Sequence, residues 1–262
     1  MDMLTRDQEE QFHRDGFVLG GQVLDDDGVE ELRAEMHRVI DARDDETIPQ
    51  PVMLSNMGKA EAPVWQIVNI SDASAPFANL VRHPEIAKTI AALTGAAEVR
   101  LWHDQIQFKP ASTGGVNMWH QDAPYWPSIT PMTQVTAWIA LDDVDLDNGC
   151  MSMIPGSHLW GNQIAFLHTI KAFDEMPATF NGHDLEVRVC PVKKGHVHFH
   201  HALTWHGSSA NTSGRPRRAI ALHYMGDDTR FVAAGNHLMK KFISVPDGEI
   251  ITGDRFARVW PL

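Results

Sequence analysis

The stretch Asn117-Met118-Trp119-His120-Gln121-Asp122-Ala123-Pro124-Tyr125-Trp126-Pro127 sets a His-x-Asp pair in an aromatic, proline-punctuated run. On an extended strand, residues i and i+2 share a face, about 6–7 Å apart at Cα. A nitrogen of His120 and a carboxylate oxygen of Asp122 can then reach one metal ion at about 2.0–2.2 Å. A third ligand from a distant segment would complete two histidines and a carboxylate on one side of the ion. The opposite positions stay open, the ligand set suited to non-haem Fe(II) and O2. The spacing alone is a weak signal. His13-Arg14-Asp15 repeats it in a charged, helix-like segment. There i and i+2 diverge by about 200° around the axis, so His13 and Asp15 are expected to form a solvated helix end. His83-Pro84-Glu85 is a second decoy, with Pro84 reading as the first residue of a helix.

The second chemistry-bearing stretch runs from His196 to Asn211. Strand alternation puts His196, His198 and His200 on one face, where His196 and His198 read as packed, satisfied imidazoles. His206 differs: Gly207 and Ser208 follow it, where the chain can turn closely around a site. Beyond it, Arg215-Pro216-Arg217-Arg218 leads into apolar Ala219-Ile220-Ala221-Leu222. A co-substrate such as 2-oxoglutarate, chelated to the metal at one end, needs a deep cation for its far carboxylate, and arginine offers a bidentate fork. Arg217 and Arg218 alternate in direction, and alternation does not choose between them.

These residues need elements to position them. The first helix should start at Thr5, where Thr5 and Gln8 form a capping box, and end at Gly16. Phe17–Leu19 reads as a short strand. A second helix spans about 25–42, with Val29, Leu32, Met36 and Ile40 as its buried stripe. A polar loop, a strand over 64–70 and helices near 75–81 and 84–93 follow. Then the pattern changes to strands. Residues 98–109 alternate, with Leu101, His103, Gln105 and Gln107 on one side and Trp102, Asp104, Ile106 and Phe108 on the other. Neither side is cleanly apolar, so one is expected to line a polar cavity. Further strands are expected over 133–141, 150–154, 187–189, 196–200, 203–205 and 218–224, with a short helix within 161–180. Helices first and about eight strands afterwards predict a mainly β chain with flanking helices and a jelly-roll core. We expect one domain over 1–262, helix-rich to about residue 95 and jelly-roll from about 96.

Composition narrows the partners. The 262 residues are 43% hydrophobic, enough for a sizeable core. A net charge of −12 disfavours nucleic acid and anionic membranes. Cys150 and Cys190 lie in apolar, strand-like settings and read as reduced core residues. Met1 to Asp7 carries no signal-peptide pattern and no apolar run approaches 18 residues, so a cytoplasmic protein acting on a small molecule is expected.

The chain resembles the phytanoyl-CoA dioxygenase (PhyH) family of Fe(II)/2-oxoglutarate-dependent oxygenases over nearly its whole length. The resemblance rests on Thr5-Arg6-Asp7-Gln8 through Asp15-Gly16-Phe17-Val18, on Trp119-His120-Gln121-Asp122, on Asn148-Gly149-Cys150, on Ile154-Pro155-Gly156-Ser157-His158, and on His206-Gly207-Ser208 with Asn211 and Arg217. It implies a double-stranded β-helix, cupin-like, with Fe(II) held by His120, Asp122 and His206. It also selects Arg217 as the clamp for the far carboxylate of 2-oxoglutarate, with Ser208, Gln105 and Trp138 lining that pocket. Lys109 matches a further family position. Trp138 taken alone reads equally well as a core aromatic. Gly195-His196 departs from the family's usual Gly-Asp.

The implied reaction consumes 2-oxoglutarate and O2, releases succinate and CO2, and oxidises an unactivated C–H bond of a small-molecule substrate. Asp122 stands where halogenating relatives carry a small residue, which favours hydroxylation or oxidative ring closure. Asn117, Tyr125, Trp126, His158 and His201 are the candidate substrate-facing residues. Compact members of the family modify antibiotics, saccharide ones included. The competing readings are an acyl-thioester hydroxylase, for which no basic cluster suited to CoA phosphates stands out, and a catalytically silent jelly-roll that binds a metal or sugar.

Overall fold

In a computed structural model, residues 3–261 are described. The sequence-based reading of Met1 and Asp2 therefore concerns positions outside the described residues. The N-terminal part contributes α1 (Arg6–Asp15), β1 (Phe17–Gln22), α2 (Asp26–Asp41), β2 (Met53–Asn56), β3 (Trp65–Val68), α3 (Ala75–Leu80) and α4 (Pro84–Thr94). Then come β4 (Val99–Lys109), β5 (Asn117–His120), β6 (Ile129–Thr130), β7 (Val135–Ala140), β8 (Met151–Met153) and α5 (Ile164–Leu167). The remainder holds β9 (Thr179–Phe180), β10 (His183–Asp184), β11 (Arg188–Cys190), β12 (His196–His201), β13 (His206–Ser208), β14 (Arg217–Gly226), β15 (Arg230–Phe231) and β16 (Arg258–Trp260).

Two antiparallel sheets form the mainly β core expected from the strand run. The large one is ordered β1-β12-β7-β14-β4-β3-β2, with β16 also on β4; the small one is ordered β11-β8-β13-β5. Two short pairs, β6–β15 and β9–β10, lie apart from both. Strand alternation sorts the large sheet. Ile139, Val197, Phe199, Ile220 and Leu222 share one core with Phe12, Val29, Leu32, Met36 and Ile90 of the helices. Trp138, Ala140, Ala219 and Ala221 face the other way, toward Met151 and Met153 of the small sheet. Each fully buried aliphatic side chain contributes about 1.5–3 kcal/mol, so the helices hold one face and leave the other to enclose a chamber. Among the described residues no helix is long and apolar enough to cross a membrane. Cys150 and Cys190 are free and buried, as their apolar settings predict.

Local chemistry sets the boundaries. Thr5 accepts from the Gln8 amide at 3.3 Å while Gln8 accepts from the Thr5 amide at 2.9 Å, so the capping box forms. Gly16 closes α1 at φ 85°. In α2 the buried stripe is Val29, Leu32, Met36 and Val39, not Ile40, which is only partly covered. The 64–70 strand stops at Val68, because Asn69 turns left-handed at φ 57° and donates its amide to Asp104 O at 2.8 Å. The expected 203–205 strand is a turn, and β13 begins instead at His206, so Gly207 and Ser208 lie in a strand.

Two side-chain expectations also fail. Asp15 is buried, not solvated: Arg14 and Arg188 both donate to it, each at 2.9 Å. In β4 the alternation slips by one, because Tyr224 pairs with Leu101 and His223 with His103, leaving Trp102 as an extra bulged residue. Leu101 thus joins the helix-side core with Ile106, while Trp102 packs with Trp126.

Gly16 ties α1 to the strands. Its carbonyl accepts from the His201 amide at 2.8 Å and from Thr204 Oγ1 at 2.9 Å. A Cβ there would stand 2.5 Å from His158 Nδ1 and 2.6 Å from Thr204 Oγ1. We expect Gly16→Ala to cost at least about 2 kcal/mol, from left-handed strain plus the clash. Urea unfolding measures this, and an unchanged midpoint would contradict the packing described.

Candidate metal and co-substrate site

His120 ends β5, Asp122 follows it by two residues, and His206 opens β13, the strand paired with β5 so that His206 lies opposite His120. The three side chains each offer one ligand atom within 4.8 Å of the others. Asp122 Oδ1 is 3.6 Å from His120 Nε2 and 3.5 Å from His206 Nε2. Backbone carbonyls decide the tautomers. His120 Nδ1 lies 2.7 Å from Met118 O, and His206 Nδ1 lies 2.9 Å from Thr204 O. A carbonyl only accepts, so each Nδ1 carries a proton; Asp122 favours a second proton on His206, and once a metal displaces it each Nε2 presents its lone pair to the common point. Burial, then the positive potential of His206, pulls His120 down to about 4. Asp122 is held well below the usual carboxylate range: burial opposes ionisation, but His206 and the His200 hydrogen bond outweigh it.

The other carboxylate oxygen is occupied. Thr136 Oγ1 and His200 Nε2 both donate to Asp122 Oδ2, each at 3.3 Å. Oδ1 alone faces the imidazoles, as single-oxygen ligation requires. Two neutral imidazoles and one carboxylate fit a divalent ion with open positions.

A cavity of about 600 Å³ opens beside this point. Arg217 lines its inner end, and Lys109 pairs directly with it in register across β14 and β4; both are fully buried. Arg217 Nε donates to Gly149 O at 3.2 Å and Nη2 to Ser208 Oγ at 3.5 Å, whereas Nη1 is buried without a partner. Its guanidinium lies over the Trp138 ring, 5.2 Å from the centroid. Lys109 Nζ donates to Ser208 Oγ at 2.6 Å, Ser209 O at 2.7 Å and Ser208 O at 3.3 Å. Three acceptors use three ammonium hydrogens. Burial, then Arg217, pushes Lys109 well below the usual lysine range; burial pulls Arg217 down to about 10. Among the described residues neither cation has a carboxylate partner. An anionic ligand would supply the missing charge and a partner for Nη1.

The remaining sequence-predicted residues divide. Gln105, Trp138, Ser208, Asn117, Tyr125 and Trp126 all line the cavity. Ser208 Oγ donates to Asn117 Oδ1 at 3.3 Å, and Tyr125, at the mouth, hydrogen-bonds His168 Nε2 at 2.9 Å. His158 and His201 do not line it. His201 follows inward-facing His200 and so points to the opposite side of the strand. Its ring lies 5.4 Å from that of His158, and His158 Nε2 donates to His13 O at 3.2 Å, beside Gly16. Both belong to the α1 junction. His103, His200, His223 and His237 line the cavity and were missed as site residues. The polar side of β4 signalled His103, and the inward alternation of β12 signalled His200; nothing in the sequence marked His223 or His237.

The depressed Lys109 pKa yields a pH dependence. The ammonium form is the one that favours an anion. Binding a dicarboxylate therefore takes up a proton wherever free Lys109 is neutral, and affinity falls as pH rises toward the ordinary lysine value of 10.5. Calorimetry of 2-oxoglutarate binding to the Zn(II)-loaded protein should show this decline, and Lys109→Met should flatten it and weaken binding about tenfold or more. A wild-type profile as flat as the variant's would remove Lys109 from the anion site.

Comparison with known proteins agrees with this geometry. The phytanoyl-CoA dioxygenase (PhyH) profile matches residues 12–219. The peroxisomal phytanoyl-CoA dioxygenase of Rattus norvegicus is 26% identical over 251 residues, covering 88% of this chain and 71% of the rat protein. Among solved structures, the non-heme alpha ketoglutarate dependent carbocyclase SnoK from nogalamycin biosynthesis superposes with a TM-score of 0.80 at 26% identity, covering 97% of this chain and 96% of that one. The epimerase SnoN, solved with Fe3+, alpha ketoglutarate and nogalamycin RO, gives 0.74 at 25% identity, covering 97% of each chain. The double-stranded β-helix core, the convergent His-Asp-His set and the profile match together make this chain a member of the PhyH family of Fe(II)/2-oxoglutarate-dependent oxygenases.

Proposed function

We propose that this chain, as one oxygenase domain, hydroxylates or oxidatively cyclises a small molecule in a natural-product pathway. His120, Asp122 and His206 would hold the Fe(II). Arg217 would clamp the far carboxylate of 2-oxoglutarate, with Ser208, Gln105 and Trp138 around it. The observation that carries the reading is a metal-competent triad beside a buried arginine whose Nη1 lacks a partner. The single-domain reading draws support from β1, β2 and β3, which come from the first 95 residues yet pair within the large sheet. Likeness to SnoK supports ring closure in an antibiotic pathway, and a cytoplasmic setting suits the two free cysteines.

When bound, Fe(II) with 2-oxoglutarate and O2 supplies the oxidant for an unactivated C–H bond. The chain's own work is positional. Met118 O and Thr204 O keep the ligand imidazoles in the required tautomer. Thr136 and His200 hold Asp122 so that one oxygen faces inward. Arg217 and Ser208 orient the co-substrate from the buried end, so the substrate must enter from the Tyr125 side, where that residue is half exposed. Trp126 and Asn117 narrow the space and exclude water around the reacting carbon.

An acyl-thioester substrate is disfavoured, because among the described residues Arg217 is the only lysine or arginine lining the cavity. Adding Fe(II) and 2-oxoglutarate without O2 should produce a weak visible charge-transfer band. His120→Ala should abolish it. Arg217→Met should raise the 2-oxoglutarate concentration needed by about 100-fold. A band that survives His120→Ala would sink the ligand assignment; a wild type that binds neither component would leave the silent jelly-roll reading.

A further inference from the structure

The cavity wall on the large sheet contains one polar row that the metal site only partly uses. His103 of β4 lies opposite His223 of β14, His223 opposite Thr136 of β7, and Thr136 opposite His200 of β12. All four are buried, and Asp122 joins Thr136 to His200. Thr136 Oγ1 lies 2.8 Å from His223 Nδ1 and 3.3 Å from Asp122 Oδ2. A hydroxyl has one proton, and a carboxylate only accepts. Thr136 therefore donates to Asp122 and accepts from His223, which must carry its proton on Nδ1. His223 Nε2 is left as an acceptor with no donor among the described residues.

Next to it, the His103 ring lies 4.5 Å from that of His223, and both of its nitrogens are buried without a partner. Trp126 stands edge-on to His103 at 5.5 Å and packs against His223 at 4.8 Å, forming an aromatic wall beside the pair. Buried polar atoms left unpaired are costly and ordinarily find a partner. Histidines aside, Asp122 and Arg217 are the only ionic side chains lining the cavity among the described residues, while Met53, Met57, Val116 and Met118 make its lip apolar.

We propose that His103 and His223 form a substrate subsite for an uncharged, hydroxyl-bearing ring. A ring hydroxyl donates to His223 Nε2 and a neighbouring oxygen pairs with His103, while the less polar ring face lies on the methionine lip. A carboxylate or ammonium in the same place would find no opposite charge. The hydroxyl is thereby linked through His223 and Thr136 to Asp122, a positioning path from substrate to ligand. As a substrate site this rests on the oxygenase reading.

Imidazole nitrogen spectra of 15N-histidine-labelled protein, carrying Zn(II) and 2-oxoglutarate, test it. His223 should show the Nδ1–H tautomer, lost in Thr136→Val and restored in Thr136→Ser. Adding trans-cyclohexane-1,2-diol should shift His223 Nε2 and His103, whereas cyclohexanecarboxylate and cyclohexylamine should not. His103→Phe should weaken the diol about tenfold. If zinc shifts His120 and His206 but the diol moves neither His103 nor His223, or the charged rings bind equally well, the subsite is overturned. If the diol shifts His223 while His120 and His206 ignore zinc, the subsite stands and the oxygenase reading falls.

Discussion

Two basic side chains buried side by side, without a carboxylate partner among the described residues, govern this molecule. Arg217 and Lys109 face one another across β14 and β4 with no solvent access. Removing an ion from water costs several kcal/mol even after relaxation. The fold meets part of that cost with carbonyls and the Ser208 hydroxyl, yet leaves one guanidinium nitrogen unmatched. A dianionic co-substrate would convert the remaining cost into affinity. The same register that sets the cations at one end of the chamber sets His103 and His223 at the other. A one-residue slip of β4 would turn Phe108, Ile106 and Asp104 inward and lose both ends at once.

The local signals were legible where chemistry is local. The Thr5–Gln8 box, the Gly16 helix end and the alternation of β12 and β14 all follow from neighbours in sequence. The convergence of His120, Asp122 and His206 was inferred from motif resemblance, and the β5–β13 pairing brings those side chains together. What escaped depends on partners far along the chain. Asp15 is buried because Arg188 reaches it from another strand. His158 and His201 were drawn away from the chamber by the α1 terminus, which sequence spacing cannot reveal. His223 acquires meaning only because Thr136 and His103 flank it in the sheet. The bulge at Trp102 is likewise a property of two strands, not one.

The Asp122 carboxylate shows how the two sheets cooperate. Its inner oxygen faces imidazoles from the small sheet, and its outer oxygen is held by Thr136 and His200 of the large one. Asp122 therefore works as a strut between layers, and its orientation depends on their spacing. Core residues between the sheets, Met151, Met153, Ala219 and Ala221 among them, maintain that spacing.

His120 and His206 both hang from the four-stranded sheet, while the imidazole row and the glutamines belong to the eight-stranded one. Divergence can therefore act on the two halves separately. A lineage that rewrites positions 103, 107 and 223 would change which molecules are accepted while leaving the oxidising machinery intact, a modular route by which one scaffold could serve many pathways.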